Sequence, residues 1–524
     1  MNRYMPLAGR RNAALVLGLA GAIVLLLVVA VIGALTAGDS DGNDQVATVD
    51  ATDSTLAPGA SGGTTAPGES DPAAGGEAGA GTTAPGGGAP GGGAAAGQGG
   101  APGASAPSAQ GGDAGGGGVE TGGPGNRTGV SDTAIKWGFH APKTFDGAPL
   151  NLAEDPLKGT DIYLEYINQE KVNGRTIEMV FADDRYTVSG GKQAADAIIN
   201  DGQVFFAEGT LGIDQIAQVA AEAKKRGVPY LAGGGSENTL KDFGMYQILA
   251  TYDDALVSLA QFLDKETERK DSPYYGLTKI GVTQLDSPHI DGSVASFKKA
   301  LADRGMELVV VTKIQKPTEQ TTYANQILEL KKAEIVVPAQ DPISTSRMVA
   351  ECRVQQCEFK WAIANFAHES DVALTLMQGS WTGYRGLGAG CYYTVPDAQA
   401  ADVAKCGMLK VARDLWISAR GQADFNKDGQ GGLAGYQFVH AWLKALREAG
   451  PDPTRERFVA ALNNYENYSD LITSPITYKG RPPFDGGYQY QVLLEATNEP
   501  GPQGSDQQFT WKQISPGFVD FNQY

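Results

Sequence analysis

Two loops in the middle of the chain combine glycines with a hydroxyl side chain, a pattern that can bind an anion. Thr210 lies in the stretch EGTLG, and Ser236 follows three glycines in GGGSEN. Glycines leave backbone N–H groups able to point at a negative charge, and a Ser or Thr hydroxyl at the start of a helix adds a hydrogen-bond donor. Thr210 and Ser236 are therefore candidates for holding a carboxylate. The alternative is ordinary helix capping, in which the hydroxyl binds only its own chain.

A polar stretch further along the chain has the residue types of a calcium site. Asp424, Asn426 and Asp428 place side-chain oxygens at alternate positions, and Gly429 follows them, as in the first half of a calcium loop. The twelfth position of such a loop would be Gly435, so the bidentate acid is missing. The alternative is a polar loop between two helices that binds no metal. We therefore predict no cofactor, with calcium as the one ion left open.

The four cysteines fall into two local pairs, five and fifteen residues apart. Four cysteines can pair in three ways, and the short separations favour the disulfides Cys352–Cys357 and Cys391–Cys406 in an exported protein. A zinc site would need clustered ligands, whereas the four histidines are scattered. No combination of nucleophile, base and acid can be read from the sequence, so we predict that the chain is not an enzyme.

A candidate membrane anchor precedes all these residues in the chain. Residues 13–37 carry no charge, and at about 1.5 Å per residue they are long enough to cross a bilayer core of about 30 Å. Three arginines precede the segment and acidic residues follow it, so the positive-inside rule puts the rest of the chain outside the cytoplasm. The alternative is a cleaved secretory signal, which would export the chain equally.

The next segment, residues 38–130, has the composition of a disordered tether. It holds about 30 of the 70 glycines and no aromatic residue, so it cannot bury a core. As a flexible coil it would span about 50–60 Å. With a net charge of -18 for the 524 residues, the part that follows the tether is acidic as well, at about -12. An acidic surface argues against a nucleic-acid partner, whose phosphates need a basic face.

After residue 130 the pattern alternates strands with helices in two successive runs. The first run predicts strands at 134–139, 176–181, 204–207 and 228–232 and helices at 156–171, 191–201 and 213–226. The second predicts strands at 279–283, 307–312, 334–338 and 360–364 and helices at 291–304, 321–332 and 343–355. Single helices between strands imply right-handed crossovers and parallel sheets. We therefore predict an α/β fold of two doubly wound lobes, with ligands outside the carboxyl ends of the strands.

The order of these segments resembles the type I periplasmic solute-binding proteins of ABC transporters, and among them the leucine/isoleucine/valine-binding receptors. The resemblance is carried by IKWGFHAPKT, by GTDIYLEYINQEKVNGRTIEMVFADD and by AEGTLGIDQIAQVAAEAKKRGVPYLAGGGSENT, and it extends over residues 132–524. It implies two lobes that are joined by three crossovers and close on a small ligand. Lobe 1 would comprise residues 131–253 with about 385–475, and lobe 2 residues 254–384 with about 476–524.

The resemblance also implies which residues bind the ligand. The loops after the third and fourth strands would hold its α-carboxylate through Thr210 and through Gly234 with Ser236. Tyr252 would lie near the hinge, and His289 stands where the family often has an aromatic residue. The acid that holds an α-ammonium would be Asp341 or would fall in the stretch 365–369. The predicted ligand-binding residues are Thr210, Gly234, Ser236, Tyr252, His289, Asp341 and Phe366.

The implied function is that of a receptor at the outer face of the cell membrane. It would be held by a single span at residues 13–37 and would capture a small polar solute, such as an amino acid, an amide or a related compound. Its partners would be that solute and an ABC permease, with no nucleic acid. The alternative is the same fold used as a cell-surface sensor or scaffold without a transport role.

Overall fold

The computed structural model describes residues 125–145, 148–149, 151–317, 319–364, 368–488, 490–505 and 507–524, all of which lie in one compact unit. The predicted anchor and residues 38–124 of the predicted tether lie outside these ranges. A search of the described residues finds no helix with the length and hydropathy of a membrane span.

The first parallel sheet is built by the strand-helix alternation that the sequence predicts after residue 130. Its strands are β1 (Ala134–Ala141), β4 (Thr176–Asp183), β5 (Phe206–Thr210), β6 (Tyr230–Gly233) and β7 (Tyr246–Gln247), in the order β4-β1-β5-β6-β7. The short strands β2 (Thr144–Phe145) and β3 (Ala148–Pro149) form a separate ribbon. The helices between them are α1 (Asn151–Glu170), α2 (Val188–Ala195, extended by a π-helical turn over Asp196–Asp201), α3 (Asp214–Lys225) and α4 (Glu237–Phe243).

Apolar side chains cover both faces of this sheet, so helices must pack on both. In β5, Phe206 belongs to the largest apolar cluster, together with Tyr163 of α1. The next residue, Ala207, packs instead in a cluster with Ile198 and Val219 from the α2–α3 side. Because successive side chains of a strand point to opposite faces, this alternation defines a doubly wound sheet.

The second parallel sheet repeats the pattern. Its order is β11-β10-β8-β9, formed by β8 (Lys279–Leu285), β9 (Glu307–Ile314), β10 (Ile335–Ala339) and β11 (Lys360–Trp361). Its helices are α5 (Tyr252–Glu268), α6 (Pro288–Ala302), α7 (Ala324–Leu330) and α8 (Pro342–Val354). In β10, Val336 shares a cluster with Met348 of α8, whereas Val337 shares one with Phe297 of α6. The predicted α/β class with parallel sheets is confirmed.

A third, antiparallel sheet was not predicted from the sequence. It consists of β12 (Arg385–Gly388), β13 (Tyr490–Thr497) and β14 (Thr510–Gln513), and β15 (Val519–Asp520) pairs with β13. A single parallel bridge between Ile363 and Gly386 joins it to the second sheet. Between β12 and β13 lie α10 (Asp397–Ala400), α11 (Val403–Cys406), α12 (Leu409–Arg420), α13 (Gln422–Glu448) and α14 (Arg455–Asn463), whereas α9 (Asp371–Leu376) precedes β12.

Helix α13 returns to the first sheet and covers the face that carries Trp137. The ring of Trp442 lies 5.1 Å from that of Trp137 and 5.1 Å from that of Phe206. The helix also crosses α1 at glycines on both sides, because a Cβ added at Gly159 would lie 1.8 Å from the Gly432 carbonyl oxygen. Glycine is a weak helix former, yet here it lets two backbones touch. The loop expected over residues 424–430 is therefore wrong, since this stretch lies inside α13.

Both predicted disulfides are present in the structure. Cys352–Cys357 closes the end of α8, and Cys391–Cys406 joins the segment after β12 to α11. Their Cα atoms are 5.2 and 5.3 Å apart, within the usual range for a disulfide. No free cysteine is found in the described part of the chain.

Candidate ligand-binding cleft

The carboxyl ends of the two parallel sheets face each other across a cleft, and charged residues bridge it. Asp214, at the start of α3, accepts a hydrogen bond from the Ser287 hydroxyl (2.6 Å) and pairs with Lys316 Nζ at 3.1 Å. Lys316 also donates to the Tyr186 carbonyl oxygen at 3.0 Å. The Lys316 and Asp214 side chains are only 9% and 15% exposed. This group, hereafter the cross-cleft ion pair, joins the loops that follow β4 and β5 to those that follow β8 and β9.

A second bridge across the cleft involves two predicted ligand-binding residues. His289 Nδ1 lies 3.1 Å from the Thr239 hydroxyl, which in turn lies 3.0 Å from the Ser236 hydroxyl. Ser236 also accepts a hydrogen bond from the Thr239 backbone N–H at 3.3 Å. The Ser236 hydroxyl therefore caps α4, which is the alternative that the sequence left open, and Ser236 is only 1% exposed.

A small cavity of about 50 Å³ lies within the cleft and is called the cleft chamber here. Leu211 lines it just after β5, Tyr252 lines it at the start of α5, and Asp341 lines it just after β10. Asp341 Oδ1 accepts from the Ser344 N–H at 2.8 Å, whereas Oδ2 is buried with no partner among the described residues. Burial raises the pKa of Asp341, because its carboxylate has lost water.

A buried polar network behind the cleft fixes the position of Tyr186, which also lines the cleft chamber. His140 Nδ1 lies 2.8 Å from Asp184 Oδ2, and His140 Nε2 contacts the Tyr230 hydroxyl. Asp184 Oδ1 accepts from the Tyr186 N–H at 3.0 Å. Burial raises the pKa of Asp184, and the His140 contact counteracts this. The network ties the carboxyl ends of β1 and β4 to the start of β6. Sequence reasoning missed it because these three residues are far apart in the chain.

A larger cavity of about 160 Å³ lies where the chain passes between the two parallel sheets, and it is called the hinge chamber here. Thr210, Leu211 and Gly233 line it at the ends of β5 and β6. Three connecting segments contribute Leu249, Ala389 with Gly390, and Ile472 with Thr473. Helix α13 adds the apolar side chains of Leu433, Ala434 and Phe438. Leu211 lines both chambers.

The hinge chamber contains few polar side chains. Gln437 donates from Nε2 to the Ile248 carbonyl oxygen at 2.8 Å, whereas its Oε1 is buried with no partner among the described residues. Glu369 accepts from the Ala389 N–H at 2.7 Å, and burial raises the pKa of Glu369 to about 8. Gln430 accepts from the Tyr393 N–H at 3.1 Å. At neutral pH the wall of this chamber is therefore largely uncharged.

The structure brings only some of the predicted site residues together. Thr210 lines the hinge chamber, whereas Tyr252 and Asp341 line the cleft chamber. Gly234 and Ser236 lie in the turn between β6 and α4, and His289 of α6 contacts Thr239 in the first turn of α4. Phe366 lies outside the described residues. Glu369, the one acidic residue of the stretch 365–369, lines the hinge chamber, whereas sequence reasoning missed Gln437 because no motif marks it.

Two of the three residues of the tentative calcium site converge, but they do so on a lysine. Asp424 and Asp428 each contact Lys158 Nζ at 2.6 Å, whereas Asn426 donates to the Gln503 carbonyl oxygen at 2.7 Å. One lysine therefore pairs with both carboxylates. Within the described ranges, no group of three or more His, Cys, Asp or Glu residues is placed to hold a metal ion.

The chain is similar to known proteins in both sequence and fold. A family model described as "Periplasmic binding protein" matches residues 135–485. No curated protein sequence matches the chain.

Solved structures with the same fold include a fatty acid ABC transporter substrate-binding protein from Thermomonospora curvata, at 19% identity over 76% of this chain and 96% of that one (TM-score 0.59). A solute binding protein from Rhodopseudomonas palustris in complex with 3,4-dihydroxy benzoic acid shares 17% identity over 74% and 98% of the two chains (TM-score 0.57). A leucine binding protein from Thermotoga maritima shares 13% identity over 74% and 100% (TM-score 0.58). At these identities the likeness shows the fold.

Proposed function

This chain belongs to the periplasmic binding protein family, and from that premise we propose that it is the solute-binding receptor of an ABC importer. The family predicted from the sequence is thereby confirmed. Its members bind solutes and are not enzymes, which agrees with the prediction that the chain is not an enzyme. The solute would bind between the two parallel sheets and would be passed to a permease in the membrane.

The hinge chamber is the observation that carries this proposal. It lies at the carboxyl ends of β5 and β6, where open α/β sheets bind their ligands. Its wall includes residues from all three connecting segments, so a bound solute would contact the parts of the chain that must bend when the cleft opens. A ligand shifts such an equilibrium only by its difference in affinity for the two states. Contacts at the hinge would provide that difference.

We propose that two lobes close on the solute, with the boundaries expected from the sequence: 131–253 with about 385–475, and 254–384 with about 476–524. In this scheme the solute contacts Thr210 and the turn that carries Gly234 from one lobe. Tyr252 and Asp341 act at the cleft chamber. Ser236 and His289 act less directly, by fixing the turn between β6 and α4.

The solute in this proposal is a small compound with a polar group, such as an amino acid or an amide. The names of the structural neighbours refer to a fatty acid, 3,4-dihydroxy benzoic acid and leucine, so one fold serves several chemistries. We also propose that residues 13–37 anchor the chain and that residues 38–130 tether it outside the cytoplasm, within reach of the permease.

The experiment that tests the receptor function is thermal unfolding of the full-length chain in detergent with a panel of amino acids, amides, ureas, polyamines and aromatic acids. A ligand at 100 times its Kd stabilises the folded state by about 2.7 kcal/mol, which gives a clear shift in Tm. At least one solute class should raise the Tm in proportion to the logarithm of its concentration. A folded protein that no solute stabilises would refute the receptor function and favour a sensor or scaffold role.

A further inference from the structure

We propose that Tyr186 is the residue that holds the cleft closed over a solute, and that Asp184 and His140 are positioning residues that fix Tyr186 for this task. This inference rests on the proposed function and names a part of its closing mechanism. It depends on three observations: Tyr186 reaches across the cleft, its backbone has a strained conformation, and a buried network holds that backbone in place.

Tyr186 follows β4 and contacts the opposite side of the cleft through two groups. Its backbone carbonyl oxygen accepts a hydrogen bond from Lys316 Nζ at 3.0 Å, and Lys316 follows β9 of the second parallel sheet. The same Nζ lies 5.3 Å from the centroid of the Tyr186 ring, within the range of a cation–π contact. Because the Lys316 side chain is nearly buried, a displacement of Tyr186 would leave its ammonium group with fewer partners.

The side chain of Tyr186 is also part of the wall of the cleft chamber. Its ring lies 5.4 Å from that of Phe145, and both residues line this cavity. Burial raises the pKa of Tyr186, and the charge of Asp341 from the other side of the cleft raises it further, so the phenol group lies near Asp341. A solute in the chamber would therefore meet the same residue whose carbonyl group binds Lys316.

The backbone at Tyr186 has a conformation that needs support from its surroundings. Arg185 and Tyr186 have φ angles of 53° and 58°, in the left-handed region that bulky residues rarely adopt. Residues in this region persist where surrounding contacts enforce them, and they are frequent at ligand sites. Two carboxylates supply such contacts here. Asp183 Oδ1 accepts from the Arg185 N–H and Asp184 Oδ1 from the Tyr186 N–H, each at 3.0 Å.

A buried network holds Asp184 in turn. Its Oδ2 lies 2.8 Å from His140 Nδ1, and neither side chain is exposed. His140 is confined by β5, because a Cβ added at Gly209 would lie only 2.1 Å from the His140 Nε2 and from the Tyr230 hydroxyl. The imidazole, the carboxylate and the Tyr186 N–H therefore form one series of contacts that leads from the interior of the first sheet to the cleft.

The test counts closed and open molecules by single-molecule energy transfer in the full-length chain in detergent, without solute. Dyes are attached at Lys192→Cys on α2 and Glu329→Cys on α7, two exposed positions on helices of the two sheets. Asp184→Ala removes the acceptor of the Tyr186 N–H and should lower the ratio of closed to open molecules about two- to tenfold. Asp184→Asn keeps an acceptor and should lower the ratio less.

Variants of Tyr186 itself test its backbone without a change in the buried network. Tyr186→Gly and Tyr186→Pro both lack the ring, but only glycine can adopt the left-handed conformation, because the proline ring fixes φ at about −65°. The proline variant should therefore have a closed-to-open ratio about two- to tenfold below that of the glycine variant. Tyr186→Phe keeps the ring and the backbone, so it should leave the ratio unchanged.

Two controls exclude a general loss of stability as the cause. Thr454→Ala removes the side-chain cap of α14, whose first residue donates to the Asn126 carbonyl oxygen before β1, at the edge of the sheet far from the cleft. This variant should lower the Tm and leave the closed-to-open ratio unchanged. In the Lys316→Met background, Asp184→Ala should have no further effect on the ratio, since both changes remove the same contact.

The outcomes separate this inference from the receptor function. An unchanged ratio in Asp184→Ala, or equal ratios in Tyr186→Gly and Tyr186→Pro, would overturn the closing role of Tyr186. If Asp184→Ala does not fold, the glycine and proline variants decide alone. The solute panel of the receptor experiment should shift the Tm of Tyr186→Gly less than that of the wild type, and equal shifts would overturn the contact between Tyr186 and the solute. A panel that does not stabilise the wild type would refute the receptor function, whereas the ratios still decide the closing role.

Discussion

The cross-cleft ion pair should set how often the cleft is closed before any solute arrives. The proposed perturbation is Asp214→Asn, which retains an acceptor for the Ser287 hydroxyl and removes the charge opposite Lys316. At 3.1 Å and an effective dielectric constant of about 20, the attraction between Lys316 and Asp214 is about 5 kcal/mol. Desolvation of the two nearly buried side chains offsets most of it. We expect a net contribution of about 1.5 kcal/mol, which is about a tenfold change in the ratio of closed to open molecules.

The assay is a distance measurement by pulsed electron paramagnetic resonance on the full-length chain. Spin labels at the exposed positions Lys225 on α3 and Lys298 on α6 report on the separation of the two sheets. Asp214→Asn should move population from the short to the long distance, and Lys316→Met should do the same. In the double variant the two effects should not add, since both remove one interaction.

The matched control is Asp303→Asn, which removes an ion pair with Lys299 on the surface of α6, where the two side chains are 77% and 55% exposed. Exposed pairs contribute about 0–1 kcal/mol, so this variant should leave the distance distribution unchanged. The reasoning is refuted if Asp214→Asn behaves like Asp303→Asn, or if the effects of Asp214→Asn and Lys316→Met add.

Three further predictions concern stability. Burial raises the pKa of Glu369 from 4.5 to about 8 in the folded state, so the folded state keeps a proton that the unfolded state loses, and the stability of the wild type falls as pH rises between these values. The Tm of Glu369→Gln relative to that of the wild type should therefore increase from pH 5 to pH 8. A Tm difference that does not change with pH would contradict this pKa assignment. Replacing Cys391 and Cys406 by Ser opens a loop of 15 residues and should lower the free energy of unfolding by about 3 kcal/mol in urea titrations, and an unchanged value would exclude a role of this disulfide in stability. Gly432→Ala would place a Cβ 2.0 Å from the Trp416 ring of α12 and should lower the free energy of unfolding by about 1–3 kcal/mol, whereas an unchanged value would show that α12 and α13 can separate.

The alternating part of the fold could be predicted because its signals are local. Runs of apolar residues with glycine at the helix ends located most strands of the two parallel sheets to within a few residues. The prediction for β5 was displaced, covering 204–207 instead of Phe206–Thr210, because Val204 and Phe205 are apolar but precede the paired residues. The antiparallel sheet was missed because its strands, such as β12 and β13, pair across about 100 residues of intervening chain.

The site was harder to predict, since its polar groups are defined by burial. Ser236 and Thr210 could be found from their loops, but the structure uses the Ser236 hydroxyl as a helix cap. Nothing in the sequence distinguishes Gln437 from other polar residues on a helix. Only the structure shows that its Nε2 donates to the Ile248 carbonyl oxygen and that its Oε1 is buried without a partner among the described residues. The glycines of α13 predicted a loop because local propensity disfavours them in helices, whereas contact with α1 requires them.

The return of α13 to the first sheet has a consequence for how the chain folds. Trp137 and Trp442 touch although they are more than 300 residues apart, so one face of β1 stays uncovered until α13 has been made. Contacts between such distant residues slow folding, because a long loop must close before they form. Until then a row of large apolar side chains is exposed to solvent, and such surfaces make folding intermediates prone to aggregate. We therefore expect the first sheet to mature only after nearly the whole chain has emerged, and to need protection from holding chaperones on the way.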